Sequence, residues 1–505
     1  MATADRRRPC PALTGLLLLA LAGVAAGRPN VVLITVDTFR PDHIGYWGYG
    51  RQTTPSLDSL CTEGVFFRQA FSSSAWTTPG LISILTSLYA PTHGVDIRHR
   101  SLDPEVITLP EVMIQGGYRA PDIFFLTDIP NFANLGLQPY PRRDELIDRG
   151  DDILFHWLEA EAGKDAPFFL YYHYRDVHLP YDAGESYESH FLPGAFASPF
   201  PGVGAVRRFL ASEKLQVVRS SVMITRGVMD FASYDRPWVS ALYDAEIRRL
   251  DEAFFRRLGA ALRRPELARN TLVLISADHG EGLLEHGLIG HVSTFKEGQL
   301  YDELTRIPLI IWYPQVFPGP RVIDEPVQCI DVMPTILDLV HLPVPAGAQG
   351  RSLVPLIGGQ EWTPRPLFFE TTAAGFMADE AEYAQRFRAV RTARWKLVHA
   401  GPEDAWRLYD LVADPGEQRD VARRHPEVAD SLRQLLNEWS LYAQGRGPAG
   451  PAPAPAAASP AGPAGPAGPP RVLFPRDRDT LGYAGADHAV KLRWSGPPGV
   501  DYTVQ

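Results

Sequence analysis

Four stretches of this chain are almost wholly apolar: "NVVLITVD", "FFLYYHY", "TLVLISAD" and "RIPLIIWY". Strands covered on both faces read this way, because neither face has to meet water. Between them run segments with helical spacing, such as "DRGDDILFHWLEAEA" and "VSALYDAEIRRLDEAFFRRLGAALRR". Strands alternating with helices predict βαβ units, and so an α/β fold with a mostly parallel central sheet between helical layers. Further on, "RWKLV" and "RLYDL" predict strands of a smaller sheet, and "HPEVADSLRQLLNEWS" predicts a closing helix. A main domain is expected over 28–365, followed by a smaller α+β subdomain over 366–440.

The pattern fails at both ends. Arg6, Arg7 and Arg8 precede an apolar run that ends in the small residues "AGVAAG". This predicts an export signal over 1–27, and the run is shorter than the roughly 20 residues of a spanning helix. The mature protein is therefore expected to be secreted, periplasmic or held at the cell surface, with no spanning segment. Residues 441–470, rich in Pro, Ala and Gly, offer too few large apolar groups to bury and predict a linker. A short β-like tail or truncated module is expected over 471–505.

At 505 residues the chain can bury a large core. A formal net charge of -10 argues against nucleic acid as a partner, since phosphate backbones demand clustered Lys and Arg. Of three cysteines, Cys10 lies in the expected signal. Cys61 and Cys329 are too few for a disulfide framework and read most simply as buried thiols.

Two acidic residues close strand-like runs: Asp37 after "VVLITV", and Asp278, followed by His279, after "TLVLISA". Ligands of open α/β sheets collect at the carboxyl ends of strands, so these positions are expected to share a crevice. Carboxylates with imidazole suit a divalent cation, although a strand-ending Asp also serves as a helix cap or turn former. The following segment supplies Glu281, His286, His291 and Lys296, in a loop where either catalytic groups or plain solvation would explain the polarity. In "YYHYRDVHLPY", His173 falls within the strand pattern and reads as satisfied by a backbone carbonyl. His178 lies outside it and is the better candidate to hydrogen-bond an ester or protonate its leaving oxygen.

The stretch "AWTTPGLISILTSLY" places Thr77 and Thr78 ahead of Pro79 and an apolar helix. Either threonine could N-cap that helix with the proline in its first turn. Thr77 could equally be a nucleophile, given a metal contact to activate its hydroxyl. A helix N-terminus would also hold an anionic ester.

Taken together, "PNVVLITVDTFRPDHIGYWGYG", "TPSLDSLCTEGVFFRQAFS", "LTSLYAPTHGV", "YDAEIRRLD", "SADHGE", "YDELTRIPLII", "DVMPTILDL" and "LYDLVADPGEQRDVA" resemble the sulfatase family of the alkaline phosphatase-like superfamily. The resemblance runs from Pro29 to about Trp439 and implies an alkaline phosphatase-like three-layer sandwich with a C-terminal subdomain. It implies Asp37, Asp278 and His279 as metal ligands, Lys296 as a contact to the ester oxyanion and His178 as a histidine near the leaving group. His286 and His291 would stand on the substrate side. The family nucleophile, a formylglycine made from cysteine in a Cys-x-Pro-x-Arg pattern, falls on Thr77, with Leu81 at the arginine position. Thr38 replaces the second aspartate of many sulfatases.

Formylglycine cannot form from threonine. Phosphodiesterase-like and phosphoglycerol-transferase-like relatives, however, use a threonine in contact with the metal as nucleophile. By resemblance, Asp37, Thr77, Asp278 and His279 would hold one divalent ion (Ca, Mg, Mn or Zn). The function implied is an exported sulfatase-like hydrolase or transferase of a sulfate or phosphate ester, on a glycan or lipid headgroup. The alternative is an inactive binding module for anionic glycans or esters.

Overall fold

The computed structural model describes residues 27–443, apart from 98, 125, 127–128, 142–144, 193–212, 226–228, 296 and 379–384. Residues 1–26 of the expected signal, the tail, all but the first three residues of the expected linker, and Lys296 lie outside the described residues.

The four apolar runs form β1 (Asn30–Val36), β3 (Phe169–Tyr174), β4 (Thr271–Ala277) and β7 (Arg306–Trp312). They share a seven-stranded sheet with β2 (Val65–Phe71), β8 (Arg321–Ile323) and β9 (Val327–Gln328), while β5 (Gly282–Leu283) and β6 (Ile289–Gly290) pair with each other instead. Its order is β3-β1-β4-β7-β2-β8, with β9 also pairing β2. Strand side chains alternate between faces, yet consecutive residues of β1 and β4 are buried alike. Both faces are therefore covered, which is why these strands carry no polar stripe.

The mostly parallel, helix-covered sheet is as expected, with one reversal: β7 runs antiparallel to both β4 and β2, whereas the other pairs are parallel. An apolar run carries no record of strand direction, so its pattern could not announce this. The covering helices include α1 (Pro55–Cys61), α2 (Thr77–Thr86), α3 (Leu146–Glu161), α4 (Arg236–Leu250) and α5 (Val332–Leu339).

Downstream, β10 (Leu367–Thr372), β11 (Arg386–Arg391), β12 (Trp395–Ala400) and β13 (Ala405–Asp410) form a four-stranded antiparallel sheet in chain order. The closing helix α6 (Pro426–Ala443) packs on it, with the Trp439 ring stacked on Phe368 at 5.0 Å. This helix runs three residues into the stretch expected as linker, held there by the burial of Ala443. The small sheet also reaches the segment that follows β2, where the Glu370 N–H donates to the Ser73 carbonyl at 3.0 Å. Cys61 and Cys329 are buried free thiols.

Candidate active site

β1 and β4 are neighbours in register, Val36 opposite Ala277. The next residues, Asp37 and Asp278, thus emerge side by side at the carboxyl edge of the sheet. Thr38 then turns sharply, with φ at +57°, a left-handed conformation that is costly for a β-branched residue. The turn is held from two sides: the Thr38 N–H donates to Asp278 Oδ1 at 3.1 Å, and its carbonyl accepts the Tyr243 hydroxyl at 2.6 Å. Asp278 Oδ1 also accepts the His279 N–H at 2.8 Å. One oxygen of Asp278 is thereby consumed by backbone. Its Oδ2, like Asp37 Oδ1, is buried with no hydrogen-bond partner.

His279 faces this pair in a defined tautomer. Its Nδ1 lies 2.7 Å from the Gly280 carbonyl, which can only accept, so Nδ1 carries the proton and Nε2 presents a lone pair. That Nε2 is 3.4 Å from Asp278 Oδ2 and 3.7 Å from Asp37 Oδ1. One ligand atom from each of Asp37, Asp278 and His279 falls within 4.8 Å of the others.

The third edge is the start of α2. Trp76 is the extended residue before it and no side chain caps the helix. The cap role considered for Thr77 or Thr78 is thus not taken: Thr77 is the first helical residue, and its Oγ1 points to His279 Nε2 at 3.3 Å. Proline two positions on fixes the first turn, and Gly80 lets the helix touch the strand end. A Cβ at Gly80 would stand 2.4 Å from the Asp278 carbonyl oxygen. Leu81, at the position of the family arginine, is buried in the core and brings no charge.

Electrostatically the centre is short of positive charge. Burial, and then the neighbouring Asp37 carboxylate, push Asp278 above the usual carboxylate range. Asp37 feels the same burial, but contact with His173 and the imidazoles of His178 and His279 outweigh it and hold its carboxyl low. Two buried carboxylate oxygens without donors, beside an imidazole lone pair and a hydroxyl, are a donor set that fits a hard or borderline divalent cation.

The remaining histidines divide. His291 joins the centre: its ring lies 4.4 Å from His279 and 4.8 Å from His178, and its Nδ1 meets Glu281 Oε1 at 3.0 Å. Glu281 accepts the Tyr181 hydroxyl as well, at 3.0 Å, and burial raises its carboxyl well above the usual range. His178 is half-buried, with Nδ1 against the Leu179 carbonyl. His286, expected on the substrate side, turns instead toward the C-terminal subdomain. It pairs with Glu303 through Nδ1 at 2.5 Å and stacks on Tyr301 at 3.5 Å. The flat Tyr301 ring and the Glu303 carboxylate, both near β7, draw it away from the strand ends.

His173 is the residue that sequence reasoning set aside. Its partners are side chains of the centre: its Nδ1 lies 2.9 Å from Thr35 Oγ1 and its Nε2 3.6 Å from Asp37 Oδ2. The available signal was strand adjacency, which places His173 directly opposite Thr35, two residues before Asp37.

Comparison with known proteins agrees with this architecture. The family described as Sulfatase matches residues 29–342, more than half of the chain, and the C-terminal family of N-sulphoglucosamine sulphohydrolase matches 290–441. Among curated relatives, arylsulfatase K of Canis lupus familiaris is 25% identical over 461 residues, covering 82% of this chain and 83% of that protein. An N-acetylglucosamine-6-O-sulfatase of Bacteroides thetaiotaomicron is 22% identical over 517 residues, covering 86% of this chain and 91% of that protein. Among solved structures, the phosphonate monoester hydrolase of Agrobacterium radiobacter superimposes with a TM-score of 0.65 at 22% identity, over 83% of this chain and 96% of that one.

Proposed function

The chain belongs to the sulfatase family, and on that premise we propose that it is an exported, divalent-metal-dependent hydrolase of an anionic ester, with the Thr77 hydroxyl as the attacking group. One observation carries the reading. Two donorless, buried carboxylate oxygens of Asp37 and Asp278 converge with His279 Nε2 beside the first hydroxyl of a helix.

Asp37, Asp278 and His279, with Thr77, would hold the ion, whose chemistry there is to lower the hydroxyl's pKa and neutralise charge on the group transferred. The chain's own residues supply the rest. The N-terminus of α2 adds positive potential where the ester's charge must sit. Thr77 releases its hydroxyl proton to solvent, its oxygen attacks the phosphorus or sulfur, and the bond to the organic oxygen breaks. His178 gives that oxygen its proton. Water then cleaves the threonyl ester and restores the hydroxyl.

Threonine chemistry favours a phosphoryl group, while the relatives' names favour a sulfate ester on a glycan; a phosphonate monoester hydrolase among the structural neighbours supports the first. The test is metal content of the purified mature protein together with turnover of aryl phosphate mono- and diesters and aryl sulfates, for wild type and Thr77→Ala. Turnover of one ester class, lost in Thr77→Ala with metal still bound, is the expected result. Metal without turnover of any ester would favour a binding module for anionic glycans, a reading that the uncharged Leu81 supports.

A further inference from the structure

Asp37 stands between two imidazoles. His279 Nε2 is 3.7 Å from its Oδ1, and His173 Nε2 is 3.6 Å from its Oδ2. The two rings differ in where their protons lie, and for His173 the surrounding hydroxyls decide it. Tyr171 is fully buried, and burial pushes its phenol so far up that it keeps its proton. Its oxygen is 3.2 Å from Thr35 Oγ1. A buried phenol is costly unless its hydrogen is donated, so Tyr171 donates to Thr35. The buried Thr35 hydroxyl must place its single proton too, and its other partner is His173 Nδ1, 2.9 Å away, so it donates there. A neutral imidazole that accepts at Nδ1 carries its hydrogen on Nε2, and that hydrogen faces Asp37.

We infer that His173 is a positioning residue for the metal centre, directing an N–H at Asp37 Oδ2 so that Oδ1 stays turned to His279 and the cation. This deepens the metal-dependent reading above and rests on it. The arrangement has a reason in this chain. Position 38 is threonine, with its N–H and carbonyl tied to Asp278 and Tyr243 and its side chain offering no carboxylate. Only Asp37 and Asp278 bring negative charge to the ligand set, so the orientation of each oxygen carries more of the affinity. The relay reaches Asp37 entirely through strand residues: Thr35 on β1, and on β3 His173, opposite Thr35, and Tyr171, opposite Leu33. His173 itself is 1% exposed, so solvent does not compete for its ring.

The experiment is calorimetric titration of the apo full chain with Mn2+, for wild type, His173→Ala, His173→Gln and Thr35→Val. Outer-sphere partners of metal ligands typically change affinity about 10- to 100-fold, and that weakening is expected in His173→Ala, with partial recovery in His173→Gln, whose amide can still donate. Thr35→Val, which leaves the ring in place but removes the donor to Nδ1, is expected to weaken binding in the same direction. If His173→Ala does not fold, Thr35→Val and His173→Gln still decide. Wild-type affinity in all three variants would overturn the inference and leave the metal reading intact. No Mn2+ binding by wild type, repeated with Ca2+, Mg2+ and Zn2+, would overturn both.

Discussion

Two of the buried clusters of charged side chains are finished differently. At the end of β1 and β4, Asp37 and Asp278 keep carboxylate oxygens that no donor reaches. Where the small sheet meets the segment before β7, Lys396 is wholly buried and its ammonium lies 2.8 Å from Asp302 and 2.9 Å from Glu417. Arg391 adds a second cation to Asp302 at 3.4 Å, and the Asp302 N–H donates to Glu417 Oε2 at 2.6 Å. Burial penalises charge equally in both places. One cluster is neutralised by the chain's own side chains, whereas the other leaves carboxylate oxygens without a donor, which in the proposed function a divalent cation would complete. That difference separates a structural ion network from a site more clearly than burial or acidity alone.

Breaking the self-contained cluster gives the largest expected effect. Lys396→Met leaves Asp302 and Glu417 buried without their common cation, and removal of one partner of a buried pair costs about 3–5 kcal/mol. Urea unfolding should register this loss with or without divalent metal, because the lysine's replacement is not a ligand. A variant as stable as wild type would mean that Arg391 suffices for both acids, and the contrast between the clusters would lose its meaning.

Asp278→Asn tests the open cluster and should behave in the reverse way. Asparagine keeps an Oδ1 to accept from Thr38 and His279, and it removes the repulsion that Asp37 exerts on its neighbour. Without metal the variant should be no less stable than wild type. Metal at 100 times its dissociation constant stabilises a folded protein by about 2.7 kcal/mol. That increment should vanish in Asp278→Asn, and ester turnover should fall more than the roughly 100-fold typical of outer-sphere changes. Thermal melts with metal and with chelator decide the point. A variant that is destabilised in chelator and still stabilised by metal would remove Asp278 from the ligand set.

The sequence disclosed these two clusters unequally, for physical reasons. Asp37 and Asp278 were legible because a continuous apolar run marks a covered strand, and the residue after such a strand stands at the edge where ligands gather. Thr77 was legible through Pro79, which fixes the first turn of α2. The second cluster was invisible: Lys396, Asp302 and Glu417 sit on separate elements, and nothing local marks a lysine in "RWKLV" as buried. Strand direction was equally silent, so β7 read like its parallel neighbours. His173 was misread because its partner Thr35 is set by which strands adjoin, a tertiary fact. The histidine-rich loop after His279 read as one polar segment, although its residues go opposite ways.

That loop joins the two clusters, and its effect is the smallest expected. His291 faces the open centre, while His286 lies among the Glu303 carboxylate, the Tyr301 ring, the Glu417 carbonyl and the Gln418 amide. Burial alone would lower the His286 pKa, but the Glu303 contact outweighs it and raises it above the ordinary value of 6.5. A histidine raised on folding contributes stability that is full below its unfolded pKa and is lost as pH climbs through the folded one. Because the pair is partly open to water, the loss should be only about 0.5–1 kcal/mol between pH 5.5 and 8.5. His286→Phe keeps a flat ring on Tyr301 but has no charge to give Glu303, so its stability should lack this component of the decline. Equal slopes for the two proteins in urea unfolding across that range would mean that the loop is held to the C-terminal subdomain by stacking alone. A steeper slope in His286→Phe would place the titrating group elsewhere.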